Sequence, residues 1–209
     1  TYEDPYILAR KFATSDHIPK GRAAWNVVTQ AYEKKKKNFN IQQHPEPKER
    51  YERADEFIEV TQKLWDSWED DTFHYNKETG QFFDARKQHQ PNHQGQYYQV
   101  LGALNVSRPP QGYPVIVQAG QSEDGRELAG KYAEVIFTAQ QNLADAQAFY
   151  RDVKNQKKKK GKQKKDLKIM PGVSIFVAKT AQEAQEKYDF LNSLIHPEVG
   201  LSLLSALAG

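Results

Sequence analysis

The run Pro114-Val115-Ile116-Val117-Gln118-Ala119-Gly120-Gln121-Ser122 places a glycine and a serine after an apolar stretch and before a helical pattern. A helix start exposes main-chain N–H groups at the positive end of the helix dipole, which suits an anion. Gly120 permits close backbone approach, and Ser122 reads either as the helix N-cap or as a hydroxyl donor to a phosphate. Glu123 and Asp124 suit the dipole but repel an anion unless they point outward, and Arg126, one turn on, stands where it could offset them. The second candidate is GRAAWNVVT, Gly21 to Thr29, nearly all apolar with one amide, Asn26, in its middle. Its polar carboxyl end carries Thr29 and Gln30. A strand this apolar is expected to be buried on both faces. A buried amide needs partners, since leaving it unpaired costs roughly 2–7 kcal/mol.

Other constellations carry less. Ser15, Asp16 and His17 have the residue types of a catalytic triad, but adjacent residues cannot face one another in triad geometry, so they read as a turn and helix cap. His89 and His93 share a helical spacing, yet no HExxH arrangement accompanies them and the surrounding sequence lacks helical periodicity. The lysine runs at 34–37 and 157–165 could contact nucleic acid electrostatically. They lack interleaved aromatics and read as solvated loops.

The elements that must position these residues follow from periodicity. A helix is expected over Pro5–Thr14, then a turn into the strand at Gly21–Thr29, then a long polar loop over Glu33–Pro47. Tyr51, Ala54, Phe57, Ile58, Leu64, Trp65 and Trp68 fall at helical spacing on a helix of about five turns. Residues 72–112 lack that spacing and read as an irregular excursion with short strands at Phe82-Phe83 and Tyr97–Val100, closed by Pro109-Pro110-Gln111-Gly112. Beyond it come a strand at 114–120, a helix at about 123–133, a strand at 134–138, a helix at about 143–153 and a strand at about 167–177, interrupted by Pro171-Gly172. A final helix spans 181–194. Strand alternating with helix predicts an α/β fold with a parallel sheet. Thr29, Gln118, Thr138 and Gln140 mark the carboxyl ends of its strands, the active face in a barrel of this kind.

A chain of 209 residues with 30 Lys+Arg against 27 Asp+Glu, no cysteine and no long apolar run reads as a cytoplasmic globular protein without disulfides, thiolate metal sites or a membrane span. A whole barrel needs about 250 residues, and an open four-stranded piece leaves two unpaired edges. Residues 1–209 are therefore expected to form a single domain that is an excerpt of a longer barrel.

Several segments recur, in order, in one known family. They are Thr1–Tyr6, Ala9–Ala13 with Asp16-His17, GRAAWNVVT, Glu49–Phe57, Leu64–Asp70 and the PVIVQAGQSEDGREL stretch from Pro114 to Leu128. The chain resembles the nitrilotriacetate monooxygenase component A group of the bacterial luciferase-like flavin monooxygenases. That resemblance implies a (β/α)8 TIM barrel of about twice this length, with this chain supplying about strands 4–7 and their helices. It implies an FMNH2-dependent monooxygenase that inserts one atom of O2 into a small organic substrate. The reduced flavin is supplied by a separate NAD(P)H-dependent flavin reductase, and the enzyme is expected to be a homo-oligomer with no nucleic-acid or membrane partner. Carried over by position, Asn26 (as catalytic residue) and Thr29 lie beside the flavin, Tyr51 bonds its ribityl-phosphate end, and Gly120, Gln121 and Ser122 wrap the phosphate. Where relatives carry a His four residues before Tyr51, this chain has Pro47, with His44 nearby. Two alternatives are a flavin barrel that binds without turnover and a nucleic-acid-binding protein using the lysine loops.

Overall fold

A computed structural model describes residues 2–29, 33–39 and 42–208. They form two compact units, residues 1–171 and 172–209. The larger unit contains α1 (Pro5–His17), β1 (Ala24–Asn26), α2 (Pro47–Trp65), a short antiparallel pair β2 (His93–Gln94) and β3 (Gln99–Val100), then β4 (Val115–Gln118), α3 (Glu123–Tyr132), β5 (Val135–Thr138), α4 (Leu143–Lys159) and β6 (Lys168–Pro171). The smaller holds α5 (Ala181–Ser193) and α6 (Pro197–Ala208). No helix among the described residues is long and apolar enough to cross a membrane.

The main sheet has four strands in the order β1-β4-β5-β6, all parallel. Strand β1 is joined to β4 through α2 and the excursion, and each later strand to the next through one helix. This is a consecutive arc of a (β/α)8 barrel. In register, Trp25 stands beside Ile116 and Asn26 beside Val117. Trp25, Val27, Ile116 and Ile136 are buried on the helix side. Ala24, Asn26 and Val28 are exposed on the opposite, concave side. The expectation of a strand buried on both faces thus holds for one face, because among the described residues no layer covers the concave side. Regular pairing is also shorter than the apolar run, three residues rather than nine.

The core lies between β1 and the α1–α2 pair. Ala9 and Ala13 let α1 approach closely, and the indole of Trp65 donates to Ala9 O at 3.0 Å. Trp25 packs against Phe12, Phe57 and Trp65, with ring centroids 5.7–6.2 Å apart. Asp16, fully buried, accepts from Ala23 N (3.0 Å) and from Gln111 N and Nε2 (3.2 and 2.7 Å), tying the start of β1 to the close of the excursion. Its neighbour His17 bonds Ser107 instead, so Ser15-Asp16-His17 is structural.

The excursion is held to α2 by two carboxylates: Glu52 accepts from the Tyr97 hydroxyl at 2.8 Å, and Glu56 makes the larger cluster. Glu56 accepts from His93 Nε2 (3.0 Å), Tyr97 N (3.0 Å) and Tyr98 N (2.9 Å). His93, buried, faces Lys63 with Nδ1 at 3.1 Å. A Cβ on Gly95 would fall 1.9 Å from Glu56 Oε1, so only glycine fits there. His89 pairs separately with Glu69 at 2.7 Å. Of the short strands expected here, Gln99–Val100 pairs with His93–Gln94, whereas Phe83 makes a single bridge to Phe73.

Several boundaries differ from expectation. Helix α1 runs on to His17 and takes in Ser15 and Asp16, residues expected in the turn. Helix α2 begins at Pro47, a favoured first-turn position for proline, and ends at Trp65, where Arg108 Nη1 bonds the Trp65 carbonyl at 3.1 Å. Trp68 lies beyond it, its indole on Leu104 O at 2.6 Å. The expected loop after residue 33 contains a 3-10 helix, Glu33–Phe39. Helix α4 runs on to Lys159 through residues expected to be loop, because two of its lysines find internal acceptors: Lys154 donates to Lys164 O and Leu167 O, and Lys157 to Ala133 O. Strand β6 stops at Pro171, since proline lacks the N–H that would continue the ladder.

Candidate functional site at the carboxyl ends of the strands

The residues singled out in the sequence fall into two groups. The first gathers around the β4–α3 turn. Ser122 caps α3, its Oγ accepting from Gly125 N at 3.2 Å. The same Oγ donates to the Tyr51 hydroxyl of α2, also at 3.2 Å. Gly120 sits beneath this pair, its N–H on Gln118 Oε1. A Cβ at Gly120 would lie 2.8 Å from Gly125 Cα and 3.2 Å from the Tyr51 hydroxyl. Both glycines are therefore required by the close pass of the turn over the helix start, which brings Ser122 Oγ and the Tyr51 hydroxyl against the first turn of α3. Amides in a first helical turn have no intrahelical acceptor, and the dipole adds about half a positive charge. Ser122 thus both caps the helix and presents its oxygen beside a tyrosine hydroxyl.

Charges around the turn sort themselves. Glu123 and Asp124 are exposed, where water and salt screen them. Arg126 does not offset them, because its Nε lies 2.7 Å from Asp152 of α4 and its Nη1 bonds Gln121 O at 3.1 Å. Gln121 is exposed with its carbonyl held by that contact. Gln118, buried at the end of β4, faces the helix side.

The second group surrounds the end of β1. Asn26 lies on the concave face beside Val117 of β4, three residues before Gly120. Arg50 Nη1 bonds Thr29 O at 3.3 Å, fixing the chain as it leaves the strand. Gln30 falls outside the described residues. His44 Nδ1 meets the Tyr2 hydroxyl at 2.5 Å, so its ring is turned to the chain's beginning. The Tyr51 hydroxyl and the β4–α3 turn thus come together directly, whereas Asn26 joins them through the sheet and Thr29 through Arg50 of α2.

Sequence reasoning missed Gly125 and the arginines of α2. The five-residue spacing of Gly120 and Gly125 and the i, i+3 spacing of Arg50 and Arg53 were the available signals.

A strand-turn-helix arrangement of this kind, on a parallel arc, matches a known family model, that of the luciferase-like monooxygenases, over residues 1–204. The chain belongs to the luciferase-like monooxygenase family. Within that family it is 51% identical over its whole length to nitrilotriacetate monooxygenase component A of Aminobacter aminovorans, covering 46% of that protein. It superimposes on the crystal structure of a long-chain alkane monooxygenase with a TM-score of 0.93 and 40% identity, over 100% of this chain and 48% of the other. A riboflavin lyase structure, solved with modified FMN and riboflavin, aligns with a TM-score of 0.89 and 36% identity over 94% of this chain and 44% of the other. The chain spans about half the length of the curated relatives it matches. The luciferase-like fold accounts for its parallel arc and for the helix-side core.

Proposed function

We propose that the intact protein is a two-component, FMNH2-dependent monooxygenase that inserts one oxygen atom into a small organic substrate. The observation that carries this reading is the β4–α3 turn, where Gly120 and Gly125 let Ser122 Oγ and the Tyr51 hydroxyl meet over the start of α3. The donor set fits a phosphate monoester: a helix start, two hydroxyls, and no side chain where a Cβ would intrude. Family membership and a relative named component A of a monooxygenase support the activity, and the riboflavin lyase structure containing modified FMN supports the flavin.

In this reading Gly120, Gln121 and Ser122 hold the phosphate through main-chain N–H groups and Oγ, with Tyr51 donating its hydroxyl. Asn26 presents its amide on the concave face to orient the ring system, and Thr29 lines the end of the same strand. Reduced FMN, when bound, supplies the electrons with which O2 is split between substrate and water. The chain's own part is to bind, orient and exclude water. A separate NAD(P)H-dependent reductase delivers the reduced flavin. Neither alternative gains support: Pro47 sits at a favourable helix position, and Lys154 and Lys157 are engaged by main-chain carbonyls.

Anaerobic titration of the intact protein with reduced FMN tests the reading. Saturable binding that weakens in Ser122→Ala and in Tyr51→Phe, each by about 0.5–1.5 kcal/mol, is the expected result. Absence of saturable binding removes the function. Binding unchanged in both variants removes the phosphate assignment alone.

A further inference from the structure

The amino ends of the strands lie opposite the candidate flavin site, and they border a space that site does not use. Val115, Val135 and Lys168 are the first residues of β4, β5 and β6, and all three line an open cleft of about 850 Å³. Lys157 of α4 lines it too, with Lys162 and Lys165 of the connection between α4 and β6. None of these residues belongs to the Ser122 turn or to the carboxyl end of β1.

The four lysines are short of acceptors. Lys157 is 2% exposed, yet of the three N–H groups of its ammonium one is taken, by Ala133 O at 2.6 Å. Lys162 gives one hydrogen bond, to Lys131 O at 2.7 Å. Lys165 and Lys168 have no hydrogen bond or ion pair among the described residues. Two lining carboxylates are held by main-chain amides instead: Glu134 accepts from Ile116 N at 3.3 Å and Asp166 from Gln163 N at 3.1 Å. Arg108, also at the cleft, is neutralised by Asp66 at 2.7 Å and Asp70 at 3.3 Å.

Four ammonium groups against two carboxylates leave the cleft positive. A desolvated ammonium with unmet N–H groups is costly until an acceptor reaches it. Here the lysines come from a helix, a loop and a strand, a spread that suits an extended anion better than a compact one. Lysine is a point charge that serves phosphate oxygens, whereas a planar carboxylate is matched by the fork of arginine. We propose that this cleft binds a chain of linked phosphates, a di- or triphosphate group, with Lys157 at its buried wall and Lys162, Lys165 and Lys168 along it. The site goes beyond the flavin reading and stands without it. Lys157 also gives it a signature. Burial lowers the Lys157 pKa to about 8; Lys162 and Lys154 act in the same direction, and Asp166 and Glu134 oppose them. An anion against the ammonium favours its charged form, so binding above pH 8 draws a proton onto Lys157.

Isothermal titration of the intact protein with tripolyphosphate at fixed ionic strength tests the proposal, with orthophosphate as the compact control and a DNA oligonucleotide as the unconfined polyanion. Saturable binding of tripolyphosphate, at least tenfold tighter than orthophosphate, is expected. Lys157→Met and the double variant Lys165→Ala/Lys168→Ala should each weaken it at least fivefold. Lys158→Ala/Lys159→Ala, which removes two exposed lysines of α4 outside the cleft, should leave it unchanged. At pH 9 the parent should take up a proton on binding, read from the heats in buffers of different ionisation enthalpy, and Lys157→Met should take up less. Circular dichroism confirms that each variant is folded. No saturable binding, unchanged affinity in a folded Lys157→Met or Lys165→Ala/Lys168→Ala variant, or an equal loss in Lys158→Ala/Lys159→Ala overturns the proposal. Oligonucleotide binding as tight as that of tripolyphosphate also overturns it, because it marks a general polyanion surface. Displacement of tripolyphosphate by reduced FMN would place both ligands at one site and overturn the proposal as well. Tripolyphosphate binding to a protein that does not bind FMN removes the flavin reading and leaves this site standing.

Discussion

The Glu56 clamp and the Ser122 turn are built from similar materials, a polar side chain facing main-chain amides, yet they differ in completeness. Glu56 is enclosed, with a histidine and two amides on its oxygens and a lysine behind the histidine. At Ser122 the hydroxyl has one amide and one phenol, and the residue is exposed. A saturated polar cluster fixes one piece of chain on another. An unsaturated one keeps capacity for a ligand.

The largest effect should come from opening the clamp. Glu56→Ala leaves His93 and two amides without an acceptor in a nearly dry site and should cost about 3 kcal/mol in chemical denaturation, the scale for breaking a buried pair. A loss below about 1 kcal/mol would mean the clamp is solvated and the contrast with Ser122 is false.

The clamp should also be acid-labile. Burial pushes the Glu56 carboxyl up, but the hydrogen bonds from His93, Tyr97 and Tyr98 outweigh it and leave the pKa below its ordinary 4.5. A carboxyl depressed in the folded state stabilises fully above its unfolded pKa, and that contribution is lost as pH falls through the folded value. The parent should therefore lose stability below pH 4.5 more steeply than Glu56→Gln, measured by denaturation across pH 3–6; parallel slopes would refute the assignment.

Lys157 supplies the same sign of slope in an alkaline window, for the opposite reason: its folded state disfavours the charge. Burial lowers its pKa to about 8. Between pH 8 and the ordinary lysine value of 10.5 the unfolded chain binds more protons, so stability should rise with pH. Lys157→Met should remove up to about 1.4 kcal/mol per pH unit of that slope. A slope unchanged by the substitution would show that the ammonium reaches water.

The smallest effect lies at the turn itself. Ser122→Ala removes the N-cap and should lower stability by about 1 kcal/mol. Tyr51→Phe, which loses only a hydroxyl at an incomplete cluster, should change it by less than about 0.5 kcal/mol. A large stability loss in Tyr51→Phe would place that hydroxyl with the saturated clusters instead.

Much of this was legible beforehand. The apolar runs at 115–118 and 135–138 gave strands at the expected places, and the glycine, serine and acidic residues after Val117 gave the helix start and its cap. Local chemistry decides such features: a capping serine acts on its own next turn. The lysines at 154 and 157 defeated local reasoning because an ammonium is placed by composition in water, whereas here carbonyls released at Ala133, Lys164 and Leu167 draw two of them inward. Trp68 kept helical spacing with Trp65 but lies past the helix end, where the Leu104 carbonyl offers its indole a partner.

The sequence by itself determined the parallel α/β alternation, the serine-capped turn after β4 and the family. Only the tertiary structure decided that Tyr51, 71 residues before Ser122, shares its hydrogen bond, that Glu56 gathers His93 and two amides of the excursion, and that Asn26 faces the concave side. Hydrophobic period and capping act over a few residues, so they survive in a linear reading. Partnership among polar groups distant in sequence depends on which donors and acceptors the packed backbone leaves unmet, and that is known only once the chain has folded.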